Sequence, residues 1–191
     1  MKKGRLEAFT DAVIAIIMTI LVLELPQPKA PTWQAIGLEW RSYIAYFVSF
    51  LICAITWNNH HNMFQAVKQV DIKVLWANNF QIFSLSMYPY LTEYVAHYFD
   101  KTVPEMMYVF SFILGNIAYL ILSWTIIKAD NENKKLRHIL VIDKQFYLAF
   151  GILIIGALLA LIYPPAGMIT CALTLIVWII PNKRVLQLFE D

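Results

Sequence analysis

The sequence predicts an all-α fold, an integral membrane bundle of six transmembrane helices with one repeat in the chain. Three observations carry this. Hydrophobic residues fill 60% of the 191 positions and charged residues 15%, against ~45–50% and ~25% in soluble domains. At about 20 apolar residues per crossing, six crossings need roughly 120 positions, which this composition supplies. The apolar stretches are also separated by polar or proline-bearing joints. A soluble enzyme, a disordered tail and a barrel of weakly alternating strands are excluded. Residues 1–191 read as a single transmembrane domain.

The first span covers roughly residues 6–25 and is closed by Pro26, Pro28 and Pro31, which cannot continue a helix. The second covers 43–57 and the third 74–91. Pro104 precedes the fourth, 106–127, and the Pro164–Pro165 pair divides the fifth, 146–162, from the sixth, 166–180, which Pro181 follows. Lys2, Lys3 and Arg5 before the first span resemble the start of a cleaved signal peptide. Glu7, Asp11, the length of the apolar stretch and the lack of a small-x-small site argue that the helix is retained.

Cationic residues set the orientation. Of the 15 Lys and Arg, only Lys29, Arg41 and Lys101 lie on one set of span ends. The opposite set holds Lys2, Lys3, Arg5, Lys68, Lys73, Lys128, Lys134, Lys135, Arg137, Lys144, Lys183 and Arg184. Both termini are therefore expected in the cytoplasm. A net charge of +2 gives no field for nucleic acid. Cys53 and Cys171 sit in apolar runs and encode neither a disulfide framework nor a CxxC site. The adjacent His60 and His61 diverge by about 100° on a helix, so no metal site or cofactor is expected.

The first helix is the most informative segment. At about 100° per residue, Ile16, Ile20 and Leu23 fall within about 60° of one another, while Asp11 lies about 140° from Ile16. The apolar stripe and the carboxylate thus face different neighbours. By spacing alone the stripe reads as a packing surface and Arg5 as a cationic flank. An acid this close to lipid needs partners or water, either in a structural hydrogen bond or in proton transfer. His60 or Trp57 of the second span are within reach of Asp11, and the amides of Asn78, Asn79 and Gln81 open the third span. An alternative function follows from these groups, a proton-coupled transporter using Asp11 and His60. The lack of paired broken helices weighs against it. No nucleophile–base spacing supports an enzyme.

The run Arg5-x-x-x-Phe9-Thr10-Asp11 resembles the Arg-x-x-x-Phe-Ser-Asp signature of the transmembrane protein 175 family of potassium channels. The likeness continues through Trp57-x-x-His60, Leu75-Trp76-Ala77-Asn78 and Pro89. Thr10 departs from the usual serine but keeps the hydroxyl. The resemblance implies a potassium channel of the plasma membrane that assembles as a homotetramer in the lipid bilayer. It implies a pore lined by the first helix, with Ile16 as the first constriction, Ile20 and Leu23 as further apolar rings, and the Thr19 hydroxyl near the path. Arg5, Phe9, Thr10 and Asp11 would belong to an inter-helix network with Trp57, His60 and Asn78. No Thr-Val-Gly-Tyr-Gly run or glycine-rich re-entrant segment exists, so a carbonyl filter cannot be built. Selectivity for the permeant potassium ion over sodium would rest on side chains, and be modest, with the same apolar ring able to close by dewetting.

Overall fold

The computed structural model of the chain describes residues 3–131, 133 and 144–179. Within them the chain forms eight helices: α1 (Lys3–Leu23), α2 (Trp33–Leu38), α3 (Trp40–Ala66), α4 (Ile72–Ser86), α5 (Tyr88–His97), α6 (Thr102–Ala129), α7 (Lys144–Ala160) and α8 (Ala166–Ile179). Of the cationic flanks, Lys2, Lys134, Lys135, Arg137, Lys183 and Arg184 lie outside the described residues, as do Ile180 and Pro181.

Three helices are long and apolar enough to cross a bilayer alone: α1 with 21 residues, α3 with 27 and α6 with 28. They correspond to the first, second and fourth expected spans. The second runs past Trp57 to Ala66; Asn and His are weak helix formers, so the extension is held by tertiary packing, with Met63 and Phe64 in the apolar core and His60 bonded to Asn78. The third expected span, 74–91, is not one helix: α4 ends at Ser86 and α5 begins at Tyr88. Pro89 explains the break. It lacks an N–H and is tolerated in the first turn of a new helix, not inside an old one. The fifth and sixth spans are the shorter apolar helices α7 and α8 of 17 and 14 residues. The proline-rich joint after α1 contains the short helix α2, started by Thr32, whose hydroxyl accepts the Ala35 N–H at 3.2 Å.

The helices pack around two apolar clusters. The larger joins Ile14, Ile17 and Leu21 of α1 to Val48 and Ile52 of α3, Leu91 of α5, Tyr108 and Phe112 of α6, Leu153 of α7 and Leu175 of α8. The smaller gathers Leu6 of α1, Met63 and Phe64 of α3, Val74 of α4, and Leu122 and Ile126 of α6. The start of α1, the end of α3, the start of α4 and the end of α6 therefore share one end of the bundle. These are the ends that carry the cationic excess. Arg41 lies elsewhere, beside Asp100 at 3.1 Å in an exposed ion pair.

Two polar devices tie the bundle together. Ser49 of α3 bonds both Tyr108 of α6, at 2.7 Å, and Thr92 of α5, at 2.6 Å. Thr92 gives its own proton to the Tyr88 carbonyl at 2.6 Å, so it accepts from Ser49, and Ser49 in turn accepts from Tyr108. One relay of hydroxyls thus links three helices. At the other device, the buried Glu105 of α6 accepts the Met168 N–H at 2.7 Å and caps the first turn of α8, where unsatisfied amide groups and the helix dipole favour an anion. Gly167 makes this approach possible, because a Cβ there would lie 2.7 Å from Glu105 Oε2.

Candidate pore helix and its polar contacts

Leu6, Thr10, Ile14, Ile17 and Leu21 form the buried edge of α1, at the i, i+4, i+7 spacing expected of one helix face. A second edge, roughly 80–140° round the helix from it, is open. Ile16 is 56% exposed, Ile20 37% and Leu23 79%, and Thr19 is exposed beside them. The Thr19 hydroxyl donates to the Ile16 carbonyl at 2.7 Å. Its oxygen is left with a lone pair directed away from the backbone. The protomer thus presents a bulky aliphatic edge that its own core does not use.

Thr10 sits on the buried edge between Leu6 and Ile14, which belong to the two different apolar clusters. It marks a polar layer between them. Its hydroxyl donates to the Leu6 carbonyl at 3.0 Å and accepts the Asn78 Nδ2–H at 2.9 Å. Asn78 Oδ1 accepts from His60 Nε2 at 2.8 Å, which fixes that nitrogen as the protonated one. His60 also stacks on Phe64, with ring centroids 4.4 Å apart. All three polar residues are buried, and the chain Thr10–Asn78–His60 connects α1, α4 and α3. A buried amide in lipid demands such partners.

Asp11 belongs to a separate, exposed contact, in which Trp57 Nε1 donates to Asp11 Oδ1 at 2.9 Å. Of the seven residues grouped by the sequence signature, five divide into two contacts. Asp11 takes Trp57, and Thr10 takes Asn78 and, through it, His60. Arg5 joins neither: it is exposed and forms no ion pair among the described residues. The reason is angular, since Arg5 lies roughly 120° round the helix from Asp11. Phe9 is likewise exposed rather than part of a network. His60 Nε2 bonds Asn78 rather than Asp11, so the two residues are not directly hydrogen-bonded.

Sequence reasoning did not find the Ser49–Thr92–Tyr108 relay or the Glu105 cap. The hydroxyls lie inside apolar runs with no distinctive spacing. Glu105 carried a usable signal, an acid at the entry of a membrane span, where a partner is always required.

The family profile described as "Endosomal/lysosomal potassium channel TMEM175" matches residues 5–89, the stretch holding α1, α3 and α4. A protein named potassium channel from Chryseobacterium sp. (strain P1-3) is 38% identical over 185 residues, covering 97% of this chain and 96% of that one. The chain belongs to the TMEM175 family. A potassium channel of Streptomyces collinus is 41% identical over 101 residues, about half of each chain (51% and 49%). The chicken endosomal/lysosomal proton channel TMEM175 is 32% identical over 76 residues, 15% of its length. The fold agrees with the crystal structure of a lysosomal potassium-selective channel TMEM175 homolog from Chamaesiphon minutus, at a TM-score of 0.77 and 26% identity over 93% of this chain and 96% of that one. As a member of this family the chain is a multi-pass membrane protein of an ion-channel lineage, not an enzyme.

Proposed function

We propose that this TMEM175 protein is a potassium-preferring channel of the plasma membrane, formed by four copies of the six-span chain with both termini in the cytoplasm. The observation that carries the reading is the exposed aliphatic edge of α1, Ile16, Ile20 and Leu23, set well round the helix from its buried residues. Around a fourfold axis this edge closes a ring with no charge and no carbonyl cage. An ion passing four Ile16 side chains sheds much of its hydration. Potassium holds its water less tightly than sodium and passes at lower cost, which gives a real but modest preference. A narrow apolar ring also empties of water readily, so the filter doubles as a gate. Thr19 supplies a hydroxyl between the Ile16 and Ile20 rings. No cofactor is needed beyond the permeant ion.

The similarity to bacterial proteins named potassium channels supports potassium as the ion. The deciding experiment measures the potassium-versus-sodium reversal potential of purified protein in liposomes, with oligomer mass determined on the same sample. A tetramer with a potassium-shifted reversal potential is expected. In Ile16→Asn the ring wets, conductance rises and the preference erodes. Unchanged current and selectivity in that variant remove Ile16 from the pore.

A further inference from the structure

A second polar feature lies apart from the α1 edge, in a cavity between α3, α4, α5, α6 and α8. Two amide side chains reach it from different helices, Gln81 of α4 and Asn116 of α6, only 2% and 7% exposed. Gln81 Oε1 and Asn116 Oδ1 have no hydrogen-bond partner among the described residues. Asn116 is held in this orientation, because its Nδ2 donates to the Phe112 carbonyl at 2.8 Å and leaves Oδ1 to face elsewhere. It lies midway along the 28-residue α6, at a depth where lipid offers nothing to an unpaired amide. Two unsatisfied acceptors on one cavity call for a ligand that donates.

The cavity measures about 30 Å³. A water needs roughly 10–15 Å³ and two to four polar partners, so the space has room for a pair of waters. Thr56, Asn59 and the Tyr88 side chain also line it and supply the remaining partners. No carboxylate or cationic side chain does. A cation there would lack any counter-charge, which favours a neutral donor. Water further suits an amide in either orientation, since it both donates and accepts. Gln81 stands one turn beyond Asn78 on α4, so a hydrated site here extends the Thr10–Asn78–His60 layer toward α6.

We propose that each subunit binds an ordered pair of water molecules in this cavity, bridging Gln81 Oε1 to Asn116 Oδ1 and joining α4 to α6 independently of the ion path. A density map of the unmodified protein in nanodiscs, at a resolution that displays ordered water, tests it directly. Two compact peaks within hydrogen-bonding distance of the two carbonyl oxygens are expected. An elongated density of a lipid or detergent chain, an empty cavity, or a thallium peak there after potassium is replaced by thallium would each overturn it. Thermal unfolding gives a second readout. Asn116→Leu and Gln81→Leu are each expected to lower the midpoint by about 2–4 °C, and the double variant to lose less than their sum, because both remove the same bridge. A rise in midpoint in either single variant identifies a dry cavity and refutes the proposal.

Discussion

Thr10→Val tests the polar layer with almost no change in shape. Valine has nearly the volume of threonine, so the substitution opens no cavity at a fully buried site. It removes the acceptor of the Asn78 Nδ2–H at 2.9 Å and the bond to the Leu6 carbonyl at 3.0 Å. Hydrogen bonds between helices in a bilayer contribute about 0.6 kcal/mol on average and at most about 1.7 kcal/mol. A buried donor left without a partner costs about 1–3 kcal/mol. Since the carbonyl of Leu6 keeps its helical bond, the stranded Asn78 amide dominates, and a loss of about 1–2 kcal/mol per protomer follows. For a chain of this size that is a drop of roughly 2–8 °C in unfolding midpoint, read by tryptophan fluorescence in detergent micelles. Thr10→Ser is the control. It keeps the hydroxyl and removes one methyl, worth about 0.8 kcal/mol. The expected order of stability is wild type, Thr10→Ser, Thr10→Val. If Thr10→Val equals the wild type while Thr10→Ser falls below it, packing and not hydrogen bonding governs the position, and the polar-layer argument fails.

Four further outcomes are expected. Ser49→Ala strands the Tyr108 hydroxyl and lowers stability by about 1–3 kcal/mol, and adding Tyr108→Phe recovers part of the loss in the same unfolding assay; no recovery would show that the hydroxyl relay is not the source. Gly167→Ala drives a methyl against Glu105 and costs about 1–3 kcal/mol by overpacking, visible as a lower midpoint and reduced yield, whereas a neutral result would mean that α6 and α8 separate easily at this point. Trp57→Phe removes an exposed hydrogen bond to Asp11, which water can replace, and costs less than about 1 kcal/mol; Asp11→Ala is expected to lower recovery of the proposed tetramer more than it changes the proposed potassium preference, and an intact tetramer with altered permeation would contradict the proposed placement of Asp11 away from the ion path.

The helical class was legible from composition, but the ends of the long helices only in part: α1 stops just before Pro26, whereas α3 runs on to Ala66, well past the expected end at Trp57. The break at Met87 was not. Pro89 was visible in the sequence, but an apolar run on both sides conceals a helix boundary, because hydropathy responds to surroundings rather than to backbone continuity. Helix α2 was hidden for the opposite reason: the prolines around it signal a joint, while its start depends on one Thr32 hydroxyl. On α1, angular spacing separated Asp11 from the Ile16 edge and excluded a simple pair with Arg5. It could not say that Thr10 and Asp11, adjacent in sequence, would serve different helices. That outcome depends on how α3 and α4 approach α1, which is a property of packing across the bundle. Gln81 stood out as an amide near the start of a span, but its convergence with Asn116 requires two helices to meet and leaves no trace in either one alone.

The carboxylate that closes the first turn of the last helix has a bearing on how the chain matures. Glu105 emerges during synthesis 63 residues before the amide that receives it. Until the final hairpin arrives, this acid has no backbone donor and must stay hydrated or delay the settling of its helix. Completion of the chain is therefore recorded at one atom, since Glu105 Oε2 gains its backbone donor only once Met168 is in place.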